Sequence, residues 1–216
     1  GREIVDMNNN YTGDNIDSLF DRDDDGVLSQ QNGNPEKALT LIEKAIGVNN
    51  SNANYHFNCG VTLFQMRRLE NAIEKYKAAL QLEPHHQNAM FNLGVTLQEL
   101  DRQNEAIEIF QKVLVLYPNH AEAFYSLGLS QQQIGLWRDA IASYDSAISL
   151  DKNHAQAYNN RGMALKEIKN FHGALESLNK SIELSSNNSE AFNSKGLILF
   201  QLRRFDEAIL EFNLAI

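Results

Sequence analysis

From residue 34 onward, apolar positions recur at three- and four-residue steps, and short polar runs interrupt them. Residues 87–120 are representative. The stretches NAMFNLGVTLQEL and NEAIEIFQKVLVL each carry an apolar stripe of helical period, and Asp101, Arg102 and Gln103 break between them. The same couplet fills 53–86, 87–120, 121–154, 155–188 and a truncated 189–216. A lone helix over 34–48 precedes them, with Asn34 as cap and Pro35 at the first helical position. Pro84 and Pro118 mark exits, because proline has no N–H with which to continue a helix. The pattern predicts an all-α chain of antiparallel helix pairs.

Register is set by small residues. Gly60, Gly94, Gly128, Gly162 and Gly196 stand 34 residues apart, and Ala38, Ala72, Ala106, Ala140, Ala174 and Ala208 keep the same step. A fixed period of this length signals a repeat array. Two helices of a hairpin cross closely when small side chains meet at the contact, so Gly94 is expected to face Ala106. A second alanine (Ala45, Ala79, Ala147, Ala215) lets the next unit approach, while Val113 and Ser181 replace it in two units and predict looser or different filling there.

Phe91, Leu93, Gly94, Ala106, Phe110 and Pro118, then Phe124, Leu127, Gly128, Ala140, Tyr144 and Ala147, give the chain a pattern that resembles the tetratricopeptide repeat (TPR). The resemblance covers about residues 34 to 216. It implies a right-handed α-solenoid of about five full or partial repeats plus a leading half repeat. The departures are His56 in place of an aromatic, Arg161 and Lys195 in place of leucine, and Lys152 and Ser186 in place of proline. Arg161 and Lys195 are expected to lay their stems on the core and send their charge outward.

In this family the first helix of each pair lines a concave groove. The resemblance therefore implies groove rows at fixed offsets from the glycines. Two before lie Asn58, Asn92, Ser126, Asn160 and Ser194; three before lie Phe57, Phe91, Tyr125, Asn159 and Asn193; one after lie Val61, Val95, Leu129, Met163 and Leu197. A side-chain amide both donates and accepts, so the asparagine row can hold the backbone of an extended peptide. It is similar to the ladder of O-linked N-acetylglucosamine transferases. Phe57, Phe91 and Tyr125 are expected to form an exposed apolar strip for a ligand's hydrophobic anchors. The clamp that binds chaperone C-terminal carboxylates needs cations where this chain has Phe57, Glu122, Ser126, Gln156 and Glu190.

Composition narrows the partner. Formal net charge is −9 over 216 residues, which argues against nucleic acid and favours a neutral or basic protein or peptide. No apolar run is long enough to span a membrane, and no secretion signal opens the chain. The lone Cys59 permits no intrachain disulfide and reads as a small buried hydrophobe, so the expected location is cytoplasmic. Trp137 reads as packing a hairpin corner. His85, His86, His120 and His154 fall between units without a metal spacing.

Residues 1–33 break the pattern and read as an irregular acidic segment. Asp21, Asp23, Asp25 and Gly26 resemble the start of an EF-hand calcium loop over 21–32, but Asn32 stands where a bidentate glutamate belongs. At the other end Ile209, Phe212, Leu214 and Ile216 keep the last helix apolar, which predicts a continuing chain or self-association. The leading expectation is a non-enzymatic interaction scaffold without a cofactor. A substrate-recruiting arm of a larger enzyme such as a glycosyltransferase and a calcium-responsive scaffold are the alternatives.

Overall fold

The computed structural model describes residues 20–22, 28–30 and 35–215. Two three-residue strands, β1 (Phe20–Arg22) and β2 (Leu28–Gln30), pair antiparallel with Asp21 opposite Ser29, so the segment expected to be irregular holds a short ladder. Eleven helices follow among the described residues. They are α1 (Pro35–Val48), α2 (Ala53–Gln65), α3 (Leu69–Leu82), α4 (Gln87–Glu99), α5 (Gln103–Leu116), α6 (Ala121–Gln133), α7 (Trp137–Leu150), α8 (Ala155–Glu167), α9 (Phe171–Leu184), α10 (Ser189–Gln201) and α11 (Phe205–Leu214).

The chain falls into two compact units, one up to Leu100 and one from Asp101. In the first, α1, α2, α3 and α4 pack each on the next. In the second, α5 to α11 do the same, and the first helix α8 also touches the first helices α6 and α10 on either side. Each helix buries a stripe against its neighbours. The α8–α10 region is centred on Leu165, Leu178 and Ile198, with Phe171 and Leu175 closing its edge. Tyr144 anchors the adjoining cluster together with Trp137, which packs a hairpin corner as expected.

The glycines make room for something other than the alanines. A Cβ on Gly60 would sit 2.6 Å from the Tyr76 ring, on Gly128 2.6 Å from the Tyr144 ring, and on Gly162 2.8 Å from Leu178 Cγ. The partner lies 16 residues on, in the second helix of the same pair. At Gly162 the Ala174 carbonyl is also close, at 3.2 Å. A large side chain laid across a bare backbone buries more apolar area than two small ones meeting, and that decides the crossing.

The two cationic departures each find a partner. Arg161 Nε donates to Asp145 Oδ1 at 2.6 Å, and its Nη1 donates to the buried Ser177 hydroxyl. Lys195 Nζ lies 2.7 Å from Glu211 Oε1, with both side chains mostly covered. Each charge is paired with a carboxylate on a second helix; the Lys195 pair is mostly covered, and the Arg161–Asp145 pair lies at the exposed surface. Ser181 fills its alanine position by donating to Ala155 O at 2.9 Å and accepting from Asn188 Nδ2 at 3.1 Å.

The turns inside the pairs carry a period of their own. Arg67, Asp101, Lys169 and Arg203 all have φ near 60°, and Gly135 has φ 78°. These five positions are also 34 apart. The left-handed conformation costs a non-glycine residue about 1–2 kcal/mol, so four of the five turns carry that strain.

Two outcomes follow for urea unfolding followed by circular dichroism. Gly128→Ala lowers stability by about 1–3 kcal/mol through overpacking on Tyr144, whereas Gly47→Ala, whose added Cβ meets nothing within 4 Å, does not lower it. Lys169→Gly raises stability by up to about 1 kcal/mol as the left-handed strain is relieved.

Candidate interaction face

The first helix of every pair begins at a side-chain cap, and the cap position repeats every 34 residues: Asn52, His86, His120, His154 and Asn188. Asn52 Oδ1 accepts from the Asn54 and Tyr55 N–H groups. His86 Nδ1 accepts from Ala89 N at 3.2 Å, His120 Nδ1 from Ala123 N at 3.2 Å, and His154 Nδ1 from Ala157 N at 3.4 Å. Asn188 Oδ1 accepts from Ala191 N at 3.1 Å. Three of the four histidines that read as inter-unit loop residues, His86, His120 and His154, are therefore caps. Each satisfies a donor that a helix start leaves unpaired. The signal was in the sequence, as a periodic Asn/His position directly before each first helix.

The capping rings do a second job. His86 lies over Phe57 with centroids 4.8 Å apart, and His154 lies over Tyr125 at 4.6 Å. Phe57 in turn meets Tyr76 at 6.1 Å, and Tyr125 meets Tyr144 at 6.0 Å. The row three before the glycine is thereby folded into the seam between repeats. Phe57 is wholly buried, and so is Asn159. Phe91 and Tyr125 are half-buried, and only Asn193 is exposed. The expected exposed apolar strip does not form at Phe57, because the next repeat's cap covers it.

The row two before the glycine is also drawn inward. Asn58, Ser126 and Ser194 are buried, and Asn92 and Asn160 are half-buried. Asn160 Nδ2 donates to Tyr125 Oη at 3.0 Å, and Asn92 hydrogen-bonds the Tyr76 phenol. In the third row Val61 is buried, Val95, Leu129 and Met163 are half-buried, and Leu197 is exposed. What stays accessible is concentrated in the second unit. There a cavity of about 250 Å³ is lined by Tyr125, Gln156, Asn159, Asn160, Asn188 and Glu190 among others. Gln156 and Glu190 are exposed at its mouth.

Electrostatics on this face are acidic. His154 Nε2 lies 3.4 Å from Glu122 Oε1. Through that contact Glu122 raises the His154 pKa above the ordinary imidazole value, and His154 lowers that of Glu122. Burial, then the charges of Glu122 and Glu190, push the Tyr125 phenol up. Cys59 is a packing residue, its thiol pushed up to about 11 by burial. His56, three residues earlier, is tied through Nε2 to Asn50 O at 3.0 Å.

Other sequence-derived sites stand as follows. Asp23 and Asp25 lie outside the described residues, and of Asp21 only the backbone in β1 is described. No group of three metal-ligating side chains occurs among the described residues. No described helix is long and apolar enough to cross a membrane. Phe200, Phe205, Ile209, Leu210 and Leu214 leave an exposed apolar surface on α10 and α11.

The family model described as tetratricopeptide repeat matches residues 63–129, and a second of the same description matches 28–85, 125–189 and 169–216. No curated protein sequence is significantly similar to the chain. Among solved structures, MamA is 29% identical with a TM-score of 0.69, over 72% of this chain and 91% of its own. YrrB, described as a TPR protein with an unusual peptide-binding site, is 24% identical with a TM-score of 0.69, over 81% and 90%. PilF of Pseudomonas aeruginosa is 21% identical with a TM-score of 0.73, over 84% and 82%.

The Glu122–His154 pair has a defined pH window. Protonating His154 strengthens its contact with Glu122 but puts a hydrogen on Nδ1, where Ala157 N–H already points. Both contacts are 3.4 Å long, and the hydrogen bond and negative charge of Glu122 set the direction of the shift. The raised His154 pKa gives stability that is full below about 6.5 and fades as pH climbs through the folded value. The lowered Glu122 pKa gives stability present above about 4.3 and lost as pH falls through its folded value. In an NMR titration of the imidazole protons, Glu122→Gln moves the His154 midpoint down. An unmoved midpoint would assign control of His154 to burial and the cap.

Proposed function

The chain belongs to the tetratricopeptide repeat family and is a helical repeat scaffold for protein interaction, and we propose that it binds an extended peptide segment across the first helices α6, α8 and α10 of its second unit. The observation that carries this reading is the polar cavity over α8. It is flanked by exposed Gln156 and Glu190 and by half-buried Tyr125 and Asn160. Side-chain amides at such a surface meet both the N–H and the C=O of an extended backbone. The fold is one that carries a peptide-binding site in YrrB. The net charge of −9 favours a basic or neutral segment.

Within the first unit Phe91 and Asn92 on α4 are half-buried, whereas Phe57 and Asn58 contribute packing. Location in the cytoplasm is part of this proposal, on the lone buried Cys59.

Panning a random displayed-peptide library on the chain tests the reading. Selected peptides are expected to bind the double variant Gln156→Ala/Asn160→Ala at least tenfold more weakly, while Glu176→Ala, on the exposed side of α9, leaves them unchanged. Peptides that bind the double variant as tightly as the native chain, or a library that yields none, would remove the face over α8 as the binding surface.

A further inference from the structure

The cavity over α8 is unequal in its free hydrogen-bonding groups. Asn159 is 3% exposed, and its Oδ1 is buried without a partner. Leaving a buried acceptor unpaired costs about 1–3 kcal/mol, so a ligand that donates to it recovers that loss. Two of the amide donors nearby are engaged with protein acceptors. Asn160 Nδ2 is given to Tyr125 Oη, and Asn188 Nδ2 to Ser181 Oγ. Asn188 Oδ1 is occupied by the Ala191 N–H. The lining thus includes an unmatched acceptor, Asn159 Oδ1, and one carboxylate, that of Glu190.

Charge points the same way. No lysine or arginine lines the cavity, and one glutamate does. The Tyr125 phenol on its wall is biased toward its neutral form by burial, with Glu122 and Glu190 adding to the effect. An anionic group would meet this field with no cation to hold it. The volume, about 250 Å³, lies below that of sites for drug-sized ligands and is on the scale of a single long side chain.

We infer that this cavity is a recognition pocket for one basic side chain, an arginine or lysine, with Asn159 Oδ1 accepting from its tip and Glu190 pairing with its charge. The inference rests on the peptide-binding reading for the origin of that side chain, and it adds the specificity. Arginine fits the arrangement better than lysine, because a planar fork of donors can reach the Asn159 acceptor and the Glu190 carboxylate together.

Nitrogen-15 NMR titration of the chain with N-acetyl-arginine N-methylamide, against N-acetyl-glutamine N-methylamide and N-acetyl-glutamate N-methylamide, tests the pocket without a natural partner. The arginine probe is expected to shift the Asn159 and Asn160 side-chain amide signals saturably, at concentrations at least tenfold lower than the glutamine probe requires. Glu190→Gln, a change at an exposed position, raises the arginine concentration needed about tenfold and leaves the glutamine response as it was. Equal responses to arginine and glutamine would show recognition of a neutral amide and overturn the inference. So would a response led by the glutamate probe, or no movement of either asparagine signal. None of these outcomes touches the peptide-binding reading, which the displayed-peptide selection tests with longer ligands.

Discussion

Every hairpin that the two units describe depends on one close approach: a large side chain on the second helix lying against the bare backbone of a glycine on the first. Tyr76 meets Gly60, Tyr144 meets Gly128, Leu178 meets Gly162, and Phe212 meets Gly196. The approach fixes the crossing of the pair. It also fixes which side of the first helix remains for other partners. Once Tyr144 occupies the Gly128 side, Tyr125 is left to face the next repeat, where His154 caps α8 and stacks on it. The same chain of contacts runs from Tyr76 through Phe57 to His86.

That second layer explains why the interaction face is smaller and more polar than a row of side chains on a single helix suggests. A cap that both closes a helix start and covers the preceding aromatic converts an apolar groove residue into core. Phe57 is lost to the surface in this way. The second unit keeps an opening because its polar side chains bond to one another, as Asn160 does with Tyr125, and leave the Asn159 oxygen unmatched beneath them.

Much of the fold was legible in the chain. The glycine period located every described helix pair, Asn34-Pro35 located the start of α1, and the helical apolar stripes gave the class. The site was only partly legible. Offsets from the glycine say which side of its own helix a residue occupies, and Tyr125 and Asn160 do line the cavity over α8. They do not say what the following repeat lays on top. That information sits 29 residues on for Phe57, at His86, and becomes visible only when Asn52, His86, His120, His154 and Asn188 are read as one capping column. The strained turns were legible only through Gly135, since Arg67, Asp101, Lys169 and Arg203 do not announce a left-handed backbone.

Hydrogen–deuterium exchange of the chain with and without a selected peptide tests the central claim most directly, because it reports which helices the ligand covers. The account predicts added protection in Ala121–Gln133, Ala155–Glu167 and Ser189–Gln201, with Trp137–Leu150 and Phe171–Leu184 unchanged. Protection confined to those two second helices would place the ligand on the opposite face and contradict it.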